Sequence, residues 1–288
     1  MIEGAGRVVR VERLMGTVVT VDVRDPASTA SVDPVLDAFF DELAHHEQVF
    51  SPWIADSEIS RISDGRLDEA EASDDVRFVL SACDHLRLVS GGAFDVRGHR
   101  ADGRLDPSGF VKGWAVEEAV RHLDDAGLRH FAVNAGGDIL SRGDAEPGSG
   151  GGWRVGIRDP EDDREVVRIL RVRGLAVATS GLYERGAHIQ DPRTPDDGSD
   201  PALASLTVVG PSLGWADAYA TAGFILGDGA LDWVDARPGY GALAVWPDRR
   251  LGWTMRLDPI VQPLEWRDPV TEPAISRTSH APGLTSSA

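Results

Sequence analysis

Asp217 and Thr221 are a carboxylate and a hydroxyl four residues apart, in a segment of mostly small apolar residues. On a helix, positions i and i+4 share one face, so both oxygens would point the same way. Such oxygen donors suit a hard cation such as Mg²⁺, which takes few protein ligands and completes its shell with phosphates. The alternative is that Thr221 bonds back to a helix carbonyl while Asp217 faces solvent, and spacing alone leaves both open.

The second candidate is Lys112, the only lysine in a chain whose 28 other cationic side chains are all arginine. It lies at the start of a predicted helix, after the sequence Asp-Pro-Ser-Gly at 106–109. We place Lys112 in the first turn, where a cation does not stabilise the helix but the free N–H groups attract an anion. The position therefore favours a phosphate ligand. The alternative is a capping turn followed by a solvated lysine.

The third candidate is His188, which follows the hydroxyl-bearing segment 179–180 and precedes Arg193. Histidine is the most common general base near neutral pH, so this polar cluster is a candidate for proton transfer. A surface turn with a structural histidine is the competing interpretation. Two further segments have simple structural interpretations: 133–139 as a tight turn between strands, and 91–95 as the end of a helix.

The elements that must position these residues occur in blocks. Apolar periodicity and capping signals predict helices at 31–50, 57–62, 73–89, 110–126 and 213–226. Runs rich in β-branched residues predict strands at 8–11, 18–23, 131–133, 153–157, 166–172, 175–178 and 203–209, with a closing hairpin at 241–246 and 251–255. Helices and strands that are grouped rather than strictly alternating favour an α+β fold.

Composition limits the function classes. The formal charge of −18 argues against nucleic acid and anionic membranes as partners, although a local cation would still allow a small anionic ligand. The single cysteine, Cys83, indicates a reducing compartment. We find neither a signal peptide nor a membrane span, and expect a cytoplasmic protein. We expect one domain over 1–257 and a Pro-, Ser- and Thr-rich, partly disordered tail over 258–288.

Eight short motifs, taken together and in order, resemble the flavin transferases of the ApbE type, which are FAD:protein FMN transferases. The motifs lie at 15–17, 51–53 with 56–60, 93–95, 106–113, 133–138, 179–181, 188–194 and 216–221. The resemblance covers about residues 13–246. It implies a T-fold-like α+β domain, with a mixed or antiparallel sheet flanked by helices, that binds FAD and Mg²⁺. It also implies transfer of the FMN half of FAD to a Ser or Thr hydroxyl of an acceptor flavoprotein, with release of AMP.

The resemblance also assigns roles by position. Asp217 and Thr221 are the expected side-chain metal ligands, with the Gly109 carbonyl as the backbone ligand. His188 is the expected catalytic base, and Asp217 is the next candidate for that role. The expected FAD contacts are Met15, Trp53, Ala93, Phe94, Asp95, Asp106, Lys112 and His188.

Three features depart from the family pattern. Trp53 stands where tyrosine is usual, Pro195 stands where glycine is usual, and the export signal of many family members is not found. Two other functions are weighed against FMN transfer: an FAD pyrophosphatase that releases FMN and AMP, and a non-catalytic FAD-binding protein. The pair of metal ligands and the histidine favour the catalytic functions. The sequence identifies neither the acceptor protein nor the oligomeric state.

Overall fold

A computed structural model describes residues 2–4, 6–25, 29–98, 100, 102–162, 164–181, 191–194, 201–263 and 275–277 of the 288-residue chain. The helices in this part of the chain are α1 (Thr29–Phe50), α2 (Glu58–Ser63), α3 (Asp74–Val89), α4 (Ser108–Asp125), α5 (Leu213–Leu226) and α6 (Ala230–Asp235). Short 3₁₀ turns lie at Glu69–Glu71, Gly227–Gly229 and Met255–Leu257. None of the helices in these ranges is long and apolar enough to cross a membrane.

The strands form two sheets. They are β1 (Ile2–Gly4), β2 (Arg7–Leu14), β3 (Thr17–Val23), β4 (Phe131–Ala135), β5 (Asp138–Arg142), β6 (Trp153–Arg158), β7 (Val166–Val172), β8 (Ala176–Gly181), β9 (Ser205–Gly210), β10 (Gly241–Val245), β11 (Leu251–Trp253), β12 (Val261–Gln262) and β13 (Ile275–Arg277). The large sheet has the order β1-β2-β3-β4-β5-β8-β9-β10-β11-β13, and the small sheet has the order β12-β7-β6. The described pairs are antiparallel except β11 with β13, which confirms the expected mixed or antiparallel sheet.

The large sheet is buried on both faces in its second half. In β10, Ala242 and Ala244 pack into the core shared with the helices. The alternate residues Leu243 and Val245 pack into a second core with residues of the small sheet. Because successive strand residues point to opposite faces, an almost continuous apolar strand indicates a sheet covered on both sides. The protein thus has three layers, with the helices on one face of the large sheet and the small sheet on the other.

Most local predictions are confirmed. Strand β3 pairs with β2, and helix α5 has the predicted bounds. Helix α3 begins after Ser73, whose side chain accepts a hydrogen bond from the Val76 N–H, as a capping residue should. Strand β5 and helix α6 are not predicted, because both are short and β5 carries polar residues at three of its five positions.

One placement is wrong. Helix α4 begins at Ser108 rather than at 110, so Lys112 is its fifth residue and lies past the first turn. The residue before it, Pro107, has the fixed backbone angle that suits a helix start. The free N–H groups at the start of α4 therefore do not define the environment of Lys112. Neighbouring elements of the fold define it.

The predicted tail contributes to both sheets where it is described. Strand β12 pairs with β7 in the small sheet, and β13 pairs in parallel with β11 at the edge of the large one. The predicted boundary at 257 and the partial disorder beyond it stay predictions, since most of 264–288 lies outside the described residues.

Helices α4 and α5 approach each other closely at two glycines. A Cβ atom on Gly113 would lie 2.6 Å from the Leu213 carbonyl carbon and 2.7 Å from the Gly214 nitrogen. A Cβ atom on Gly214 would lie 3.0 Å from the Trp114 nitrogen. Any side chain at Gly113 would force the two backbones apart. This contact brings the two candidate motifs of the sequence, 106–113 and 216–221, side by side.

Candidate active site

Lys112 lies between two buried carboxylates. Its Nζ is 2.5 Å from Asp138 Oδ2 and 3.5 Å from Asp217 Oδ2. The Asp138 side chain is fully buried, and that of Lys112 is 17% exposed. A charged side chain with so little access to water needs a partner of opposite charge. The three side chains therefore form one electrostatic unit. The unit joins helix α4, the first residue of β5 and helix α5.

Asp138 has a second fixed contact. Its Oδ1 accepts a hydrogen bond of 3.2 Å from the Thr179 N–H on strand β8. The Thr179 hydroxyl in turn lies 2.9 Å from the Thr207 hydroxyl on β9. The sheet thus holds Asp138 in one orientation, and Asp138 holds the lysine.

Where helices α4 and α5 cross, Thr221 of α5 lies beside Gly109 of α4. A Cβ atom on Gly109 would be 3.8 Å from Thr221 Oγ1, so the backbone of α4 passes close to that hydroxyl. The Ser180 hydroxyl of β8 is 3.3 Å from Thr221 Oγ1 and hydrogen-bonds with it. Asp217 precedes Thr221 by one helical turn. The three expected metal ligands therefore lie on the facing sides of α4 and α5.

This donor set fits a hard divalent cation. A carboxylate, a hydroxyl and a backbone carbonyl all offer oxygen, which Mg²⁺ and Mn²⁺ prefer to nitrogen or sulfur. Asp217 itself is buried, at 6% exposure, and its neighbours on α5, Ala216, Ala218 and Ala220, are fully buried and small. A metal bound here would have few protein ligands and open positions for a ligand phosphate.

The segment that follows helix α3 packs against this crossing. Ala93 and Phe94 are buried, and the Phe94 N–H donates to the Ser90 hydroxyl at 3.0 Å. The Phe94 ring lies 3.3 Å from the position that a Cβ on Gly109 would occupy. Of the expected FAD contacts, Phe94 thus borders Gly109, as Lys112 borders Asp217.

Asp95 is held as a carboxylate. Its oxygens accept hydrogen bonds from the Arg97 N–H at 2.8 Å, the Gly98 N–H at 3.2 Å and Arg87 Nε at 2.8 Å. Burial by itself would raise the pKa of Asp95, but these donors lower it below its ordinary value. Asp95 therefore fixes the turn that leads from Phe94 towards residue 100.

Among the expected contacts that the structure describes, Trp53 is the most exposed, with 77% of the residue accessible. The Arg100 guanidinium carbon lies 4.4 Å from the centre of its ring, within the range of a cation–π contact. Arg100 also bonds Asp102 at 2.6 Å and lies 3.8 Å from Asp106. An exposed indole can stack on an aromatic ligand, and here Arg100 ties it to the Asp106 segment.

The β2–β3 turn and the adjacent β4–β5 turn contain the remaining candidate residues of the site. Met15 has a positive φ of 54° in the turn between β2 and β3. In the turn between β4 and β5, a Cβ on Gly136 would lie within 3 Å of the Thr17 hydroxyl, so only glycine fits there. The Asn134 side chain closes that turn by accepting from the Gly137 N–H at 2.9 Å. The turn predicted at 133–139 is thus present, and it leads directly into Asp138.

His188 and Pro195 lie outside the described residues. The nearby segment 191–194 is described, and Arg193 bonds Asp191 through its guanidinium at 2.7 Å. The Arg193 Cγ is 3.5 Å from the position of a Cβ on Gly92, just before the Ala93–Asp95 segment. The chain that follows His188 therefore returns to the same region of the molecule.

Sequence reasoning does not select Asp138 or Arg100. The signal for Asp138 is its place directly after the Gly136–Gly137 turn, together with the need of the only lysine, Lys112, for a counter-charge. No comparable signal marks Arg100, which is one arginine among 28.

The fold and the site together define an α+β protein in which an ammonium group and oxygen donors converge, an arrangement suited to a metal ion and an anionic ligand. A model described as the ApbE family matches residues 15–101 and 96–244. The chain belongs to the ApbE family.

Curated relatives and solved structures agree with this family. An FAD:protein FMN transferase of Treponema pallidum (strain Nichols) is 34% identical over 203 residues, 62% of this chain and 55% of that protein. An FAD:protein FMN transferase of Escherichia coli (strain K12) is 32% identical over 132 residues, 43% of this chain and 37% of that protein. The matched part thus spans about half or less of these relatives. The structure of the flavin transferase ApbE from Vibrio cholerae has the same fold, with a TM-score of 0.73, 22% identity, and coverage of 90% of this chain and 96% of that one.

Proposed function

We propose that the chain is a Mg²⁺-dependent FAD:protein FMN transferase that acts on a Ser or Thr hydroxyl of an acceptor protein. The observation that carries the proposal is the convergence of Gly109, Asp217 and Thr221 around the helix crossing, with Lys112 beside them. The names of the curated relatives support the same activity. The expected cytoplasmic location stays a prediction.

The proposed reaction replaces the phosphoanhydride bond of FAD with a phosphoester bond to the acceptor protein. The acceptor hydroxyl oxygen forms a bond to the phosphorus on the FMN side of the FAD diphosphate. The bond from that phosphorus to the bridging oxygen breaks, AMP leaves with that oxygen, and the hydroxyl proton passes to a base. Placement and charge neutralisation supply most of the rate in such reactions.

Each candidate residue of this chain has a separate role in the proposed reaction. Lys112 reduces the negative charge of the two carboxylates beside which the diphosphate would lie. Trp53 offers its exposed ring to the isoalloxazine, and Phe94 packs against the start of α4. His188, assigned by resemblance, accepts the hydroxyl proton.

Asp217, Thr221 and the Gly109 carbonyl would hold the Mg²⁺ ion, which would supply positive charge to the diphosphate oxygens. Ser180 would orient the Thr221 hydroxyl through the hydrogen bond of 3.3 Å. Asp138 would orient Lys112 in the same way, because strand β8 fixes the Asp138 carboxylate.

The test follows both products of FAD. Purified protein is incubated with FAD, Mg²⁺ and a panel of candidate acceptor domains, and AMP, free FMN and protein-bound flavin are measured by chromatography and intact-protein mass. AMP in equal amount to protein-bound flavin supports transfer. AMP with free FMN and no labelled acceptor indicates a pyrophosphatase, and FAD binding without AMP indicates a non-catalytic binder.

A matched pair of variants tests the metal ligands. Asp217→Asn should abolish the reaction while the fold is retained, because it removes a charged metal ligand from α5. Asp41→Asn, the same change at an exposed position of α1, should leave the rate unchanged. Full activity of Asp217→Asn, or full activity of the parent protein in excess EDTA, would rule out the proposed metal site.

A further inference from the structure

Helices α4 and α5 face each other through two rows of residues spaced by four. The α4 row contains Gly109, Gly113 and Glu117, and the α5 row contains Leu213, Asp217 and Thr221. Gly109 lies opposite Thr221, and Gly113 lies opposite Leu213 and Gly214, so the helices run antiparallel along this seam. Residues four apart form a ridge on a helix surface, and facing ridges determine how two helices slide past each other.

Glu117 ends the α4 row with contacts to the start of α5. Its Oε2 accepts a hydrogen bond of 3.0 Å from the Ser212 hydroxyl, and its Oε1 accepts one from the Leu213 N–H. Ser212 is the residue before α5, and its side chain also accepts from the Trp215 N–H. The first N–H groups of a helix have no partner within that helix. Glu117 thus supplies, from another helix, an acceptor that α5 needs.

Both carboxylate oxygens of Glu117 are used, and both partners belong to the first residues of α5. Burial raises the pKa of Glu117 above its ordinary value, although the Leu213 and Ser212 donors oppose this effect. A carboxylate kept in a poorly solvated place by two hydrogen bonds has few alternative positions. The contact therefore fixes α5 along the seam as well as capping it.

The metal ligands depend on that register. Gly109 belongs to α4, whereas Asp217 and Thr221 belong to α5, so a slide between the helices changes the distance between their oxygens. A shift of one residue moves a helix by about 1.5 Å, more than a metal–oxygen bond tolerates. Gly113 and Gly214 set how closely the helices approach, but glycines offer no side chain that resists sliding.

We propose that Glu117 is a positioning residue for the metal centre, which fixes the register of α4 against α5 and so the spacing of Gly109, Asp217 and Thr221. The inference rests on the proposed metal-dependent function. It predicts that loss of the Glu117 contacts weakens metal binding much more than FAD binding without metal.

The test compares four variants with the parent protein. Glu117→Met keeps the side-chain length and removes both acceptors. Glu117→Gln keeps an acceptor for the Leu213 N–H and an amide group that can donate to the Ser212 hydroxyl. Glu117→Asp keeps the charge but shortens the reach. Glu118→Met is the control, because Glu118 is the next residue on α4 and pairs with Arg121 of the same helix rather than with α5.

The readouts are the Mg²⁺ concentration for half-maximal transfer, the rise in melting temperature on adding Mn²⁺, and the affinity for FAD in EDTA. We expect Glu117→Met to raise the half-saturating Mg²⁺ concentration about 10- to 100-fold, as loss of a group that orients metal ligands does. The Mn²⁺-induced rise in melting temperature should shrink, and FAD affinity in EDTA should stay within about twofold. Glu117→Gln should behave like the parent protein, and Glu117→Asp should lie between parent and Glu117→Met.

Three results would overturn the inference. One is an unchanged Mg²⁺ requirement in a folded Glu117→Met. Another is an equal effect of Glu118→Met. The third is an effect of Glu117→Gln without one of Glu117→Asp, which would assign the effect to charge rather than position. If Glu117→Met does not fold, the comparison of Glu117→Asp with Glu117→Gln decides. A parent protein without transfer activity would refute the proposed function instead, and the Mn²⁺ measurement would still test Glu117.

Discussion

Replacement of Lys112 by methionine tests the charge arrangement on which the site depends. Methionine keeps the length of the side chain and removes the ammonium group. Asp138, fully buried, and Asp217, nearly so, would then lose the cation that they share. The change should therefore destabilise the fold even though Lys112 is not part of the apolar core.

The magnitude follows from burial. Removal of one partner of a buried ion pair destabilises a protein by about 3–5 kcal/mol, because the other charge stays without compensation. Lys112 is 17% exposed, so water can partly replace it, and we expect about 3 kcal/mol. Asp138→Asn should offset part of this loss in the double variant, since the amide oxygen can still accept from the Thr179 N–H. We expect a coupling between the two positions of about 1–3 kcal/mol.

The assay is guanidinium unfolding in excess EDTA, followed by far-ultraviolet circular dichroism and by tryptophan fluorescence. Coincident transitions from both probes justify a free energy for each variant. The control is Arg121→Met on the same helix, which removes a cation that is 70% exposed. Its partner Glu118 is 20% exposed, so the control should lose about 1 kcal/mol, clearly less than the loss expected for Lys112→Met.

Two results would contradict this reasoning. The first is a Lys112→Met protein within about 1 kcal/mol of the parent, which would mean that water reaches both carboxylates. The second is a double variant whose stability is the sum of the single effects, which would mean that Lys112 and Asp138 do not interact.

Three further predictions concern single side chains. Trp53→Ala should weaken FAD binding by about 1 kcal/mol if the ring stacks, measured by titration, and an unchanged affinity would remove Trp53 from the site. His188→Ala should slow transfer by about 10²–10⁴-fold with little change in FAD affinity, whereas equal losses of both would make His188 a ligand contact. Burial lowers the pKa of His46 below its ordinary 6.5, so the unfolded chain takes up a proton first and stability falls as pH drops below about 6.5. His46→Leu should reduce the loss of stability between about pH 7.5 and 5.5 in denaturant titrations, and an equal loss would contradict this cause.

The elements that the sequence predicts well have local signals. Helix α3 carries a capping serine, an apolar stripe and a Gly-Gly stop, and helix α5 begins after a serine that caps its first turn. Strand β7 alternates buried and exposed residues. Each signal acts within one turn or one strand, so it can be recognised without knowledge of the tertiary structure.

The contacts that build the site have no such signal. Lys112 meets Asp138 across 26 positions of sequence and Asp217 across 105, because packing of α4 on the sheet and on α5 places them together. A glycine inside a helix normally lowers the stability of that helix. The close approach of α5 explains why position 113 is nevertheless a glycine. Resemblance to a family supplied most of the candidate site residues, but it carried no information on which of them are in contact.

The same contacts bear on how an acidic protein could bind the FAD that we propose as its substrate. Lys112, Asp138 and Asp217 formally carry one positive and two negative charges, so this group of described residues has a net charge of one negative unit. That unit alone would repel a diphosphate, since the remaining surface is acidic as well. The divalent cation that we propose on Asp217, Thr221 and the Gly109 carbonyl would reverse the sign to one positive unit. We therefore expect the metal and FAD to bind cooperatively, each raising the affinity of the other by the same factor.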